Sequence, residues 1–333
     1  MDLILAFGSS FLSQLRSPTL AFLIGGMALA ASGSKLAIPD AVYRFIVFVL
    51  LMSIGLDGGM EIREADLAAL ALPAVFAILI GCVCVLIGAA TLGRLPGIER
   101  DDALATSGLF GAVSASTLAA AMIVLDEQDV FFEAWTPALY PFMDIPALVL
   151  AIVLAGVSAR KDNGAEKTQV SAIIVDSLRG SALSALLLGI AIGLIASPQQ
   201  VYEEFYDPLF RGFLSILMLI MGMEAWSRLA ALRSVAHWYM LYAFIAPILH
   251  GCLGFACGWV AHELVGLSPG GAVILAVIAA SNSDISGPPT LRAGIPGANP
   301  SSYIGASTSI GTPVAIALCI PIFTALAGFV FEQ

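Results

Sequence analysis

Ten apolar stretches occupy most of this chain, at residues 18–34, 41–57, 67–92, 102–125, 136–157, 177–197, 208–226, 235–261, 269–291 and 301–330. A helix needs about twenty apolar residues to cross a bilayer, so the pattern predicts an all-α polytopic membrane protein with ten transmembrane helices. Only 11% of the 333 residues are charged, whereas soluble domains carry about 25%. The short loops leave no room for a sizeable soluble domain. A net charge of -10 argues against nucleic-acid binding, which requires a basic face. Cys82, Cys84, Cys252, Cys257 and Cys319 all fall inside apolar runs without metal-ligand spacing, and are expected to be inert, buried thiols. The opening MDLILAFGSSFLSQLR lacks a basic segment and a cleavage site. Ile4, Phe7, Phe11 and Leu15 fall on one helical face, which predicts a short helix lying on the membrane surface.

Ten spans place both termini on one side. Of the fourteen Lys and Arg residues, eleven then fall on the opposite side, leaving Arg16, Arg63 and Arg211 with the termini. The positive-inside rule makes the polar segment 158–172 a cytoplasmic linker and puts both termini outside. The linker divides the chain into a first five-helix unit, 1–157, and a second, 173–333.

These units match at one offset. Adding 167 carries Gly26 to Gly193, Gly55 to Gly222, Asp57 to Glu224, Ser114 to Ser281, Ser116 to Ser283 and Pro146 to Pro313. Five spans per unit is odd, so the second repeat must sit inverted in the bilayer. Inverted repeats are a feature of secondary transporters.

Two equivalent spans are interrupted. The fourth reads TSGLFGAVSASTLAAA and the ninth VIAASNSDISGPPTLRAG. Gly111 and the hydroxyls of Ser114, Ser116 and Thr117 loosen the fourth. Gly287-Pro288-Pro289 is expected to break the ninth, because proline removes a donor and clashes with the preceding turn. Unwound backbone at membrane depth persists only where it is buried in protein or lines a cavity. The half-helix N-termini then offer N–H groups to an anion, and the C-termini offer carbonyls to a cation.

Asp144, early in the fifth span, and Asp284, in the ninth break, are carboxylates at costly depth, which marks them as functional. Asp144 is read either as a cation partner or as a cap for the helix at Pro146. The run Ser307, Thr308, Ser309 and Thr312 supplies hydroxyls suited to a hard cation such as sodium. No arginine clamp lies in the core, so the anion should be small and singly charged.

The segments SPTLAFLIGGM, TSGLFGAVSASTLAAAM, YPFMDIPALV, FYDPLFRGFLSILMLIMGMEAWSR and SDISGPPTLRAGIPGANPSSYIGASTSIGTPVAIA closely resemble the cyanobacterial-type sodium-dependent bicarbonate transporters. The resemblance implies a plasma-membrane symporter importing bicarbonate with sodium for a carbon-concentrating mechanism. It further implies broken helices crossing at mid-membrane, a core domain moving against a gate domain, and a homotrimer. A PII-like trimeric adenine-nucleotide-binding regulator is expected on the cytoplasmic face. By motif position, bicarbonate falls to Ser114, Ser116, Thr117, Ser283, Ser286 and Gly287. Sodium falls to Asp144, Asp284, Ser307, Thr308, Ser309 and Thr312. Asn282 departs from the family pattern, which is expected to carry serine there, and the linker is short for the family.

Three rivals stay open on the residues alone. They are a sodium-coupled carrier of another small anion, a channel, and an intramembrane aspartyl protease using Asp144 and Asp284. The protease reading needs two carboxylates sharing a proton and gives the hydroxyl-rich breaks no role.

Overall fold

The computed structural model describes residues 18–64, 67–163, 171, 175, 178–179, 181–232, 237–284 and 287–331. No strand occurs among them. The first half contains α1 (Pro18–Ala31), α2 (Asp40–Glu64), α3 (Leu67–Leu92), α4 (Arg100–Gly111), α5 (Ala115–Glu127) and α6 (Tyr140–Asn163). The second contains α7 (Ser181–Ala196), α8 (Asp207–Leu232), α9 (His237–Val265), α10 (Pro269–Ala280) and α11 (Gly287–Gly294). It closes with α12 (Pro300–Phe331), which is wound as π turns at Ser307–Gly311 and Ala315–Cys319.

Among the described residues, seven helices are long and apolar enough to cross a membrane, taking Arg100–Glu127 as one broken span. Three shorter apolar helices accompany them, at Ala21–Ala31, Leu183–Ala196 and Pro269–Ala280. This is a polytopic all-helical membrane protein. Two helices outrun their apolar stretches. α2 continues to Glu64 and α6 to Asn163, because good helix formers such as Met60, Glu61, Arg160 and Lys161 carry the winding past the apolar edge. The surface helix expected at residues 4–15, most of the linker beyond Asn163, and Ser286 lie outside the described residues. The thiols differ from expectation in exposure: Cys84 and Cys319 are buried, but Cys252 is exposed on α9.

Small residues set the packing. α1 crosses α8 where Gly26 lies on the backbone of Leu219 and Gly222 on that of Leu23. α2 crosses α7 in the same manner. A Cβ at Gly55 would come 2.9 Å from Gly189 Cα, and one at Gly193 would come 2.9 Å from Gly59 Cα. Glycine permits this approach because no side chain separates the two backbones.

The remaining helices enclose the interrupted segments. The apolar part of Arg100–Glu127 is entirely buried, as is every residue from Gly270 to Ala280 of α10. Glu133 fixes the start of α10 from the preceding loop. Its carboxylate accepts from Ser268 N (2.7 Å) and Ser268 Oγ (2.8 Å), placing negative charge at a helix N-terminus, where the dipole favours it.

Candidate functional site: two helix breaks in contact

α4 ends at Gly111 and α5 begins at Ala115, which leaves three residues unwound halfway along their span. Ser114 is the N-cap of α5, and its Oγ accepts from Thr117 N (3.1 Å). The second interruption follows α10 at Ser281. Contrary to expectation, Gly287-Pro288-Pro289 does not form the break but opens α11. The first four N–H groups of a helix have no intrahelical acceptor, so the prolines sit in the turn where a missing donor costs least.

The two breaks bond to one another. Ser114 N donates to Ser281 Oγ (3.0 Å), and Ser283 N donates to Leu109 O (2.9 Å). Ser281 Oγ passes its own proton to Ile278 O (2.8 Å). Terminal carbonyls of α4 and α10 thus gain partners from the crossing chain or its cap. Gly287 N donates to Ser283 Oγ (2.8 Å), which holds the start of α11 against the same segment.

A hydroxyl chain runs from this crossing to one carboxylate. Ser116 Oγ donates to Asp284 Oδ2 (2.7 Å). With that proton committed, Ser114 Oγ must be the donor in its 2.9 Å bond to Ser116 Oγ. Thr117 Oγ1 in turn donates to Ser114 Oγ (3.1 Å). Bonds aligned in this way polarise one another toward the charged end. Ser114, Ser116 and Thr117 are fully buried. Asp284 Oδ1 is shut from solvent and has no hydrogen-bond partner. Glu224 of α8 lies close enough for its charge to act on Asp284.

A second cluster ties the ninth-span break to α12. Asn282 Nδ2 donates to Ser307 O (3.1 Å), Thr312 Oγ1 (2.9 Å) and Ser307 Oγ. A backbone carbonyl only accepts, so the bond to Ser307 O fixes which end of the amide faces α12. Asn282 Oδ1 is left buried without a partner, beside Gly311, where a Cβ would come 2.8 Å from it. Ser309 Oγ is likewise buried and unpartnered, whereas Thr308 Oγ1 donates to Ile304 O within its own helix (2.8 Å).

Asp144 does not cap its own helix. It sits inside α6, and its Oδ1 accepts from Val113 N (3.0 Å) in the first break. His250 of α9 bonds through Nδ1 to Phe110 O (3.1 Å), the carbonyl just before Gly111.

The crossing therefore gathers Ser114, Ser116, Thr117, Ser283, Gly287 and Asp284 in one bonded group, with Asp144 attached through Val113. Ser307 and Thr312 join through Asn282. Sequence reasoning missed Asn282, Ser281, and the Leu109 and Phe110 carbonyls. An amide in an otherwise small and apolar span was the available signal for Asn282. The offset partnership of Ser114 and Ser281 was the signal for Ser281. Backbone carbonyls leave no mark in a sequence.

Among the described residues no three His, Cys, Asp or Glu side chains converge. Three buried oxygens around the second break lack partners, namely Asp284 Oδ1, Asn282 Oδ1 and Ser309 Oγ, and beside the first break the Nε2 of His250 is a buried nitrogen without one. Hard oxygen donors fit a hard cation. Among the described residues bonded at the crossing there is no Lys or Arg, so an anion held there would meet hydroxyls, N–H groups and helix dipoles.

No curated protein matches the sequence significantly. The family model of the Na+-dependent bicarbonate transporter superfamily matches residues 18–328. The chain belongs to that superfamily, and the resemblance carried by its sequence motifs holds over almost its whole length.

Proposed function

We propose that this member of the Na+-dependent bicarbonate transporter superfamily is a symporter that imports bicarbonate with sodium by alternating access, supplying inorganic carbon across the plasma membrane. The observation that carries the reading is the reciprocal bonding of two mid-span breaks, Ser114 N to Ser281 Oγ and Ser283 N to Leu109 O. Crossed half-helices offer a small anion two N-termini, and offer a cation carbonyls and a carboxylate.

Bicarbonate is assigned to Ser114, Ser116, Thr117, Ser283, Ser286 and Gly287. Its single charge suits a site without a fixed cation, and its hydroxyl can donate to an acceptor in the site. Sodium is assigned to Asp144, Asp284, Ser307, Thr308, Ser309 and Thr312. It binds first, from outside, and its charge next to Asp284 completes the anion site.

Ten spans in two inverted repeats, 1–157 and 173–333, underlie this scheme. Several facts support that arrangement. α2 begins at Asp40 and α8 at Asp207, again 167 apart, and Ser114 meets Ser281, its own offset partner. The glycine-crossed helices α1, α2, α7 and α8 form the gate, and the helices around the breaks form the core. Between α2 and α5 lies a cavity of about 440 Å³, lined by Ser53, Asp57, Ile123 and Tyr202 with Asp126 and Arg211, which are ion-paired to each other. Such space between gate and core is what their relative movement requires. Both termini lie outside and the linker 158–172 inside, where a PII-like adenine-nucleotide-binding regulator docks on a homotrimer.

An inward sodium gradient supplies the work, and the membrane potential adds about 2.3 kcal/mol per 100 mV only for each sodium carried in excess of bicarbonate. The test is uptake of labelled inorganic carbon by a host lacking its own carriers. Uptake should fall to background when potassium or choline replaces sodium. Unchanged uptake refutes the coupling, and displacement by acetate or pyruvate in preference to bicarbonate refutes the substrate.

A further inference from the structure

A second cavity lies outside the site, on the flank where α3 packs against α9. It is a groove of about 410 Å³. Trp238, Leu241, Ile245 and Leu249 form its α9 wall, spaced three or four residues apart and 40%, 50%, 41% and 57% exposed. Ala90 of α3 and Arg94, in the turn just beyond it, face them. Arg94 is exposed and has no ion pair among the described residues. No acid lines the groove.

From Trp238 to Leu249 the wall rises about 16 Å at 1.5 Å per residue, about half of a 30 Å hydrocarbon layer. The groove therefore spans one leaflet. Its cation and its tryptophan sit together at one end, the level at which headgroups meet aromatic belts. Any apolar face is wetted by lipid. This one adds a concave slot of acyl-chain length and a fixed, unpaired positive charge at its mouth. Basic pockets between transmembrane helices bind anionic headgroups in this way.

We propose that the groove holds an anionic phospholipid, with one acyl chain along α9 and the headgroup phosphate on Arg94. The far end of the slot is closed by His250, which also bonds Phe110 O at the crossing. The lipid and the helix breaks thus share α9.

Native mass spectrometry of the purified full-length protein, incubated with phosphatidylglycerol or phosphatidylcholine and then delipidated, tests the proposal. Phosphatidylglycerol should be retained in preference. Arg94→Gln should lower its retention about fivefold, as expected for one basic contact, whereas Lys35→Gln, at another exposed position, leaves it unchanged. Ala90→Phe fills the slot without altering charge and should reduce retention of phosphatidylglycerol, while thermal unfolding in detergent verifies that both groove variants are folded. Equal retention of the two lipids by the unmodified protein overturns the proposal. So does undiminished retention in both groove variants. Efficient cross-linking between chains through Leu249→Cys in a Cys252→Ala background, in a bilayer, overturns it as well, since a second copy would then fill the groove.

Discussion

The two breaks interrupt their spans at similar depth but are finished differently. In the first, the polar groups close on themselves. Ala112 N reaches Gly108 O, Val113 N reaches Asp144, Ser114 N reaches Ser281, and Ser114 Oγ makes three bonds to Ser116 and Thr117. In the second, Asn282 and Asp284 each keep one buried oxygen without a partner. At the offset of 167, Ala115 answers to Asn282 and Thr117 to Asp284. One break is a satisfied shelf and the other carries open acceptors. An unpaired buried acceptor costs about 1–3 kcal/mol, which a bound cation would relieve. On the proposed reading, the first break serves positioning and the second cation capture.

The largest effect should come from Asp284→Asn. The amide keeps an acceptor for Ser116 but removes the charge. A charged hydrogen-bonding contact is worth about 1.5–3 kcal/mol, so initial rates of sodium-dependent uptake should fall roughly a hundredfold at matched membrane abundance. Its offset counterpart, Thr117→Val, loses one hydroxyl bond worth about 1 kcal/mol, or about fivefold. Equal losses in the two variants would erase the distinction between the breaks.

Asn282→Ala comes next. It frees Ser307 and Thr312 from their shared donor, and the sodium concentration for half-maximal uptake should rise about tenfold, the scale of one or two lost buried bonds. Asn282→Ser restores a hydroxyl but is too short to span both partners, so its shift should fall between alanine and the unmodified chain. If the serine variant needs less sodium than the native protein, the amide is not the element that orders α12.

Much of this architecture was legible in the residues. Apolar length marked the spans, because a bilayer imposes one dimension on every crossing helix. The hydroxyl cluster at Ser114 to Thr117 marked the first break, because an N-cap has a side-chain signature. The second break was legible in place, with Asp284 inside it, but not in cause. Proline was read as the breaker, but a proline is equally at home in a first turn, and only tertiary contacts decide between the two. Asp144 was legible as important but not in its bonding, because its partner is the backbone of Val113, thirty-one residues away. The bonds of Asn282 to Ser307 and Thr312 depend on how α12 approaches, which no local pattern encodes.

Ser114→Ala is expected to act chiefly on the shelf, leaving the Ser116 bond to Asp284 in place. Losing an N-cap costs about 1 kcal/mol, which in a chain of this size lowers the unfolding temperature by about 1–2 °C. Uptake should drop severalfold through a poorer bicarbonate affinity, while the sodium requirement stays nearly constant. A larger shift in sodium dependence than in bicarbonate affinity would move cation capture to the first break and reverse the comparison.

Pro288→Ala should have the smallest effect, and it discriminates between two accounts of the second break. If proline made the break, alanine would restore a backbone donor and let α10 run on into α11, which would destroy the crossing and abolish uptake. The structure supports the other account. The chain leaves the helix at Ser281, where Ser114 N, Leu109 O and the α12 hydroxyls draw residues 281–283 into extended contacts. Pro288 then lies in the first turn of α11, where its missing N–H satisfies no bond. Alanine there gains backbone freedom in the unfolded chain, a change of about 0.4–1 kcal/mol. Uptake should therefore remain within about twofold of the unmodified protein, measured as initial rates at saturating sodium. Complete loss in a variant that still reaches the membrane would show that the second break depends on its proline and not on the first break.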